Sequence, residues 1–119
     1  MPRRLIQSIF LLDDKIRYAS VLNHRGNHLE GGMKPGKATL NPEEEEQKLF
    51  LQTTVSRGMS DSWGRYFDDF RFSITAHKKI VVFQFPYGEN ILLVTAEADI
   101  SLDTAEKIWE ILSKTEPIE

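Results

Sequence analysis

Leu5, Ile6, Ile9, Phe10 and Leu12 recur at intervals of three and four residues, the spacing that gathers apolar side chains along one side of a helix. Asp13-Asp14-Lys15 closes this first helix, and from Ile16 the period changes to two. Ile16-Arg17-Tyr18-Ala19-Ser20-Val21-Leu22 is rich in β-formers and predicts a strand. Asn23-His24-Arg25-Gly26-Asn27 is a tight-turn sequence, in which Gly26 and the two asparagines tolerate positive φ. His28-Leu29-Glu30-Gly31-Gly32-Met33 returns as a second, weaker strand, and its paired glycines predict a bulge or a close approach of backbones.

After the loop Lys34–Thr39 comes the clearest local signal in the chain, Asn41-Pro42-Glu43-Glu44. Asn41 can cap a helix, Pro42 suits its first position and Glu44 can complete a capping box. The run Glu43–Glu46 then sits at the positive end of the helix dipole, which makes it a helix start before it is an acidic binding patch. This acidic helix is expected to continue to about Arg57-Gly58, with a further turn around Ser60–Trp63.

Three strands follow. Phe70, Phe72, Ile74 and Ala76 alternate with Arg71, Ser73 and Thr75, which predicts a strand over 70–76 with one face in the core and one face wet. His77-Lys78-Lys79 makes the reversal. Ile80–Phe85 is almost continuously apolar, as a more central strand would be; Pro86–Asn90 reads as a turn, and Ile91–Ala96 as the fifth strand. Ser101 or Asp103 can cap a last helix whose Leu102, Ala105, Ile108, Trp109 and Leu112 form one apolar stripe. The order αββαβββα predicts an α+β fold: a five-stranded antiparallel sheet with helices packed on it, a compact sandwich spanning residues 1–119 as one domain.

Within the acidic helix, Leu51, Val55 and Met59 make one face, expected to lie on the sheet. Phe50 stands about 140° from Val55 at ~100° per residue, so the two cannot enter the same core. A large aromatic opposite the core face of a polar helix suits a second buried surface, or stands as a singly exposed apolar residue, which is common. On the first reading the candidate interface is Phe50 with Glu46, Thr54 and Arg57, joined by Arg71, Ser73 and Thr75 of the third strand as a neighbouring edge, because edge strands are natural templates for pairing between chains.

Composition narrows the field further. With 40% hydrophobic and 10% aromatic residues the chain is ordinary for a globular protein. Its net charge is −3 and unevenly spread: residues 1–40 carry seven Lys/Arg against three Asp/Glu, the remainder eight against fifteen. An acidic balance argues against nucleic acid as the partner, and the asymmetry suits contacts with protein or with a second copy. No run reaches the ~20 apolar residues of a membrane span. Arg3-Arg4 before the first apolar stretch reads as a helix start and not as an export signal, because Gln7, Ser8, Asp13 and Asp14 interrupt it. The absence of cysteine fits a reducing cytoplasm and removes thiolate chemistry.

Candidate chemistry is thin. His24, His28 and Glu30 flank the first hairpin but make at most a partial metal site, and solvated turn histidines are the expectation. Gly31-Gly32 with Lys34-Pro35-Gly36-Lys37 is a glycine- and lysine-containing loop, a candidate anion cradle that lacks phosphate-loop spacing. No GxSxG elbow occurs, and Asp61, Asp68 and Asp69 have no visible acid–base partner. Trp63, Tyr66 and Phe67, beside Arg65, are expected to close the end of the core and not to stack on a planar ligand. No catalytic residue, metal or cofactor is expected.

In element order and length, with Leu22-Asn23-His24-Arg25-Gly26-Asn27 at the first hairpin, a long second helix, a strand triplet and a short last helix, the chain resembles the roadblock family of dynein light-chain-like domains. Glu43–Glu46 and Trp63-Tyr66-Phe67 do not match a family feature. The resemblance implies a non-catalytic homodimer that pairs its second helices and adjoining edges, and a scaffold or regulator of a small Ras-like GTPase. A PAS- or profilin-like sensor of a small ligand is the alternative.

Overall fold

The computed structural model describes residues 2–23, 25–36, 66–67 and 70–115. The helix expected from Asn41 lies outside these residues. The described elements run α1 (Pro2–Phe10), β1 (Ile16–Leu22), β2 (His28–Met33), β3 (Ser73–Ala76), β4 (Ile80–Tyr87), β5 (Asn90–Glu97) and α2 (Thr104–Ser113). The five strands form one sheet in the order β2-β1-β5-β4-β3, with every neighbouring pair antiparallel. The antiparallel five-stranded α+β architecture expected from the periodicity is the one observed. The central position falls to β5, and β4, the nearly continuous apolar run, lies next to it.

Strand register sorts the side chains into two faces. Ala19, Val94, Phe83 and Ile74 lie in one cross-strand row, and Val21, Leu92 and Phe85 in the next. Both helices cover this face: Leu5, Ile6 and Ile9 of α1 and Ala105 and Ile108 of α2 are buried in the same cluster as Val81, Phe83 and Phe85. The opposite face carries the rows Tyr18, Thr95, Val82, Thr75 and Ser20, Leu93, Gln84, Ser73. There Tyr18, Leu22, Val82 and Leu93 form a second, smaller apolar cluster. A strand whose two faces are both buried reads as continuously apolar, which accounts for Ile91-Leu92-Leu93-Val94.

Several element ends differ from the sequence reading. α1 ends at Phe10; Leu12 lies beyond it and still packs against the main core, while Leu11 between them turns outward and is 86% exposed. β4 continues through Pro86 to Tyr87, so the turn is only Gly88-Glu89, with Gly88 at φ 62°. Pro86 is tolerated because it pairs with Ile91 on one side, while β3 pairs with β4 only as far as Gln84. β3 starts at Ser73 and not at Phe70. Leu102 precedes α2 and is 55% exposed, so it is no part of that helix's core stripe.

The first hairpin is built by Asn23. Its Oδ1 accepts from the backbone N–H of Arg25 at 2.9 Å and of Asn27 at 3.0 Å, while its own N–H donates to the Asn27 carbonyl. Gly26 takes φ 81° at the tip. This is the side-chain-to-backbone pattern for which asparagine is favoured in turns.

Candidate functional site

A sheet in the order β2-β1-β5-β4-β3 has two edges, and the chain treats them differently. At the β2 edge the register shifts between Val21 and Leu22, leaving Leu29 as an extra residue, and Gly31 and Gly32 both take positive φ. The polar backbone of Gly31 is occupied by its own strand: Glu30 Oε1 accepts from its N–H at 3.3 Å, and His28 Nε2 lies 2.9 Å from its carbonyl oxygen. A bulge, distorted φ values and self-capped backbone groups are the devices that blunt an edge against pairing.

β3 has none of these features. Its register with β4 is regular from Ser73↔Gln84 to Ala76↔Val81, and it contains no proline, glycine or charged residue. His77 donates from its N–H to the Ile80 carbonyl at 2.8 Å across the reversal. Antiparallel pairs alternate between bonded and non-bonded. Thr75 and Ser73 therefore bond to β4, and the N–H and C=O groups of Ile74 and Ala76 point away from the sheet. Among the described residues, no side chain occupies them.

The chain enters β3 through a clamp. Arg71 donates from Nη2 to Glu106 Oε2 of α2 at 2.6 Å. The same guanidinium lies 4.6 Å from the ring centre of Trp109 and 5.1 Å from that of Phe72. Phe72 in turn packs its ring 5.7 Å from Phe85 in the core. Glu106 and Trp109 are three residues apart on α2, so both reach one side chain. Strand parity would have put Arg71 on the wet face with Ser73 and Thr75. The strand begins only at Ser73, however, and Arg71 lies toward α2 instead.

Of the other sequence-predicted interface residues, Ser73 is half-buried and Thr75 exposed, both on β3. Glu46, Phe50, Thr54 and Arg57 lie outside the described residues, as do His24, Lys37 and Trp63. Tyr66 and Phe67 do not close the core as expected: they are 80% and 68% exposed, with ring centres 6.5 Å apart. The partners of Arg71 had no signal in the sequence, since Glu106 is 35 residues away and Trp109 read only as part of an apolar stripe.

The loop lysine has a structural task. Lys34 Nζ donates to the carbonyl oxygens of Phe10 at 2.9 Å and Asp13 at 3.1 Å, and sits 5.9 Å from the Phe10 ring centre. It closes the C-terminal end of α1, where unpaired carbonyls and the helix dipole favour a cation. That use directs it away from any anion at the glycine pair. Among the described residues no group of three or more His, Asp or Glu side chains is placed to hold a metal ion, and no helix is long and apolar enough to cross a membrane.

A five-stranded antiparallel sheet in this order, with its first and last helices on one face, defines a fold class that comparison with solved structures makes specific. The Roadblock/LC7 domain from Streptomyces avermitilis superposes with a TM-score of 0.70 at 14% identity, over 93% of this chain and 90% of that one. The gliding protein MglB from Thermus thermophilus gives 0.72 at 13% identity, over 94% and 85%. MglC from Myxococcus xanthus gives 0.59 at 9% identity, over 94% and 92%. The chain thus has the roadblock-like fold. No family model matches the sequence, and no curated protein does.

Proposed function

We propose that this chain is a non-catalytic interaction module that forms a homodimer and, in that form, scaffolds or regulates a small Ras-like GTPase. The observation that carries the reading is the unequal treatment of the two sheet edges. One edge is bulged and self-capped, while the other offers the regular outward amides of Ile74 and Ala76. An open, uncharged edge is a liability for a monomer and a template for a second copy. Phe50, with Glu46, Thr54 and Arg57, is the second part of the proposed contact, and Arg71, Ser73 and Thr75 flank its edge. Two considerations support assembly and protein partners: the roadblock-like fold, and the fact that one similar structure is of MglB with a tetrameric arrangement. The small Ras-like GTPase is proposed as the partner from the likeness to roadblock-fold structures.

Sedimentation velocity and light scattering test the dimer directly. Wild type is expected to be dimeric, and Phe50→Glu and Ala76→Pro monomeric and folded. Proline at residue 76 removes an outward N–H without removing a bond to β4. A monomeric wild type would overturn the dimer, and an Ala76→Pro protein that stays dimeric would remove β3 from it. Titration with purified Ras-like GTPases in their GDP and GTP-analogue forms tests the partner, and no binding to either form across the set would sink that part.

A further inference from the structure

A four-residue edge strand bonded on one side only is weakly held, because few of its residues are buried and it has one row of backbone bonds. Among the described residues Ser73–Ala76 is such a strand, bonded to β4 alone, with two of its four residues exposed. Side chains hold its entry. Arg71, two residues before the strand, reaches α2 by its ion pair to Glu106 and lies over Trp109, while Phe72 is seated against Phe85. We propose that Arg71 is the positioning residue of the β3 edge: the Arg71–Glu106–Trp109 clamp ties the edge strand to α2 and keeps it in register for pairing.

Three features make the clamp suited to this. The guanidinium is planar, so it bonds a carboxylate in its plane and stacks on an aromatic face at the same time, which a lysine cannot do. The anchor on α2 is rigid, since Ala105 and Ile108 on either side of Glu106 are buried in the main core. The clamp also lies at the end of β3 opposite the His77–Ile80 turn. The short strand is therefore fixed at both ends, by a covalent reversal at one and by Arg71 at the other. The proposal deepens the dimer reading by naming what presents the paired edge, but the clamp acts within one chain and is measurable without a dimer.

Amide hydrogen exchange separates the two. The N–H groups of Ser73 and Thr75 bond to β4 and report on the clamp, whereas those of Ile74 and Ala76 point outward and report on pairing between copies. Arg71→Ala is expected to speed exchange at Ser73 and Thr75 by roughly tenfold, the sum of one exposed ion pair and two cation–π contacts, with β1 and β5 unchanged. Arg71→Lys, which keeps the charge and loses the stacking, is expected to fall between. Glu106→Gln removes only the ion pair and is expected to give the smallest increase; it also serves if Arg71→Ala fails to fold. Unchanged exchange at Ser73 and Thr75 in these variants, or an equal increase over all strands, would overturn the clamp. A monomeric wild type with fast outward amides but an Arg71-dependent Ser73 and Thr75 would instead overturn the dimer and leave the clamp standing.

Discussion

Gly31 lies so close to Ala19 across the β1–β2 pair that a Cβ on Gly31 would overlap the Ala19 carbonyl oxygen and crowd the Cα of Ser20. Its φ of +98° is also one that L-residues rarely adopt. Gly31→Ala is therefore expected to destabilise the fold by about 3 kcal/mol or more, from backbone strain and overlap together. Gly36, at φ +87° with open space around a Cβ, carries only the strain, and Gly36→Ala should cost about 1 kcal/mol. Urea midpoints at unchanged slope distinguish the two; equal losses would show that the close approach to Ala19 does not matter.

Lys34→Met should lower stability by about 1–2 kcal/mol, the worth of charge-assisted bonds to the Phe10 and Asp13 carbonyls at a helix C-terminus. Methionine retains an apolar stem of similar length. The loss is expected to shrink little in high salt, because the group is partly buried. A variant as stable as wild type in urea would mean the cap contributes nothing net.

On either side of the end of α1 two apolar residues give opposite expectations. Ile9 is fully buried in the main core, and Ile9→Ala should cost about 2–5 kcal/mol. Leu11 sits two residues on and is exposed, so Leu11→Ser should stay within about 0.5 kcal/mol. Thermal midpoints of the pair check this contrast directly.

Alkaline pH should weaken the fold through two groups. Burial raises the Tyr87 phenol above its ordinary value, and Lys15 is raised first by its hydrogen bond to Asp99, which lies 3.0 Å away. A raised folded value means the stability is fully present below the unfolded value of about 10 and is lost as pH climbs through the folded one. Tyr87→Phe should therefore flatten the decline in thermal midpoint above about pH 10. Asp99 runs the other way: the Lys15 bond lowers it, so its contribution is present above about pH 4 and fades as pH falls further. Both members of that pair are solvated, and Asp99→Asn should leave the acid limb almost unchanged. A steep acid limb abolished by Asp99→Asn would contradict this.

Periodicity was a good guide wherever a residue's neighbours in sequence are also its neighbours in space. Ile16–Leu22 and His28–Met33 are strands over the residues their alternation marks, and Asn23 makes the turn its side chain favours. The same local logic failed at Pro86, because whether proline ends a strand depends on whether a neighbour needs its missing N–H. It failed again at Arg71, whose alternation with Ser73 and Thr75 holds no meaning outside the strand.

The sequence by itself determined the number and kind of the described elements and the apolar side of most of them, since those follow from spacings of two and of three to four residues along one chain. Which strands became edges, which edge was closed and which left open, and what Arg71 and Lys34 hold were decided by the tertiary structure. The hydrogen bonds of Arg71 and Lys34 join groups 21 to 35 residues apart, and the strand order rests on pairs as distant as Ile16 and Ala96; a linear pattern carries no record of such partners until the sheet brings them together.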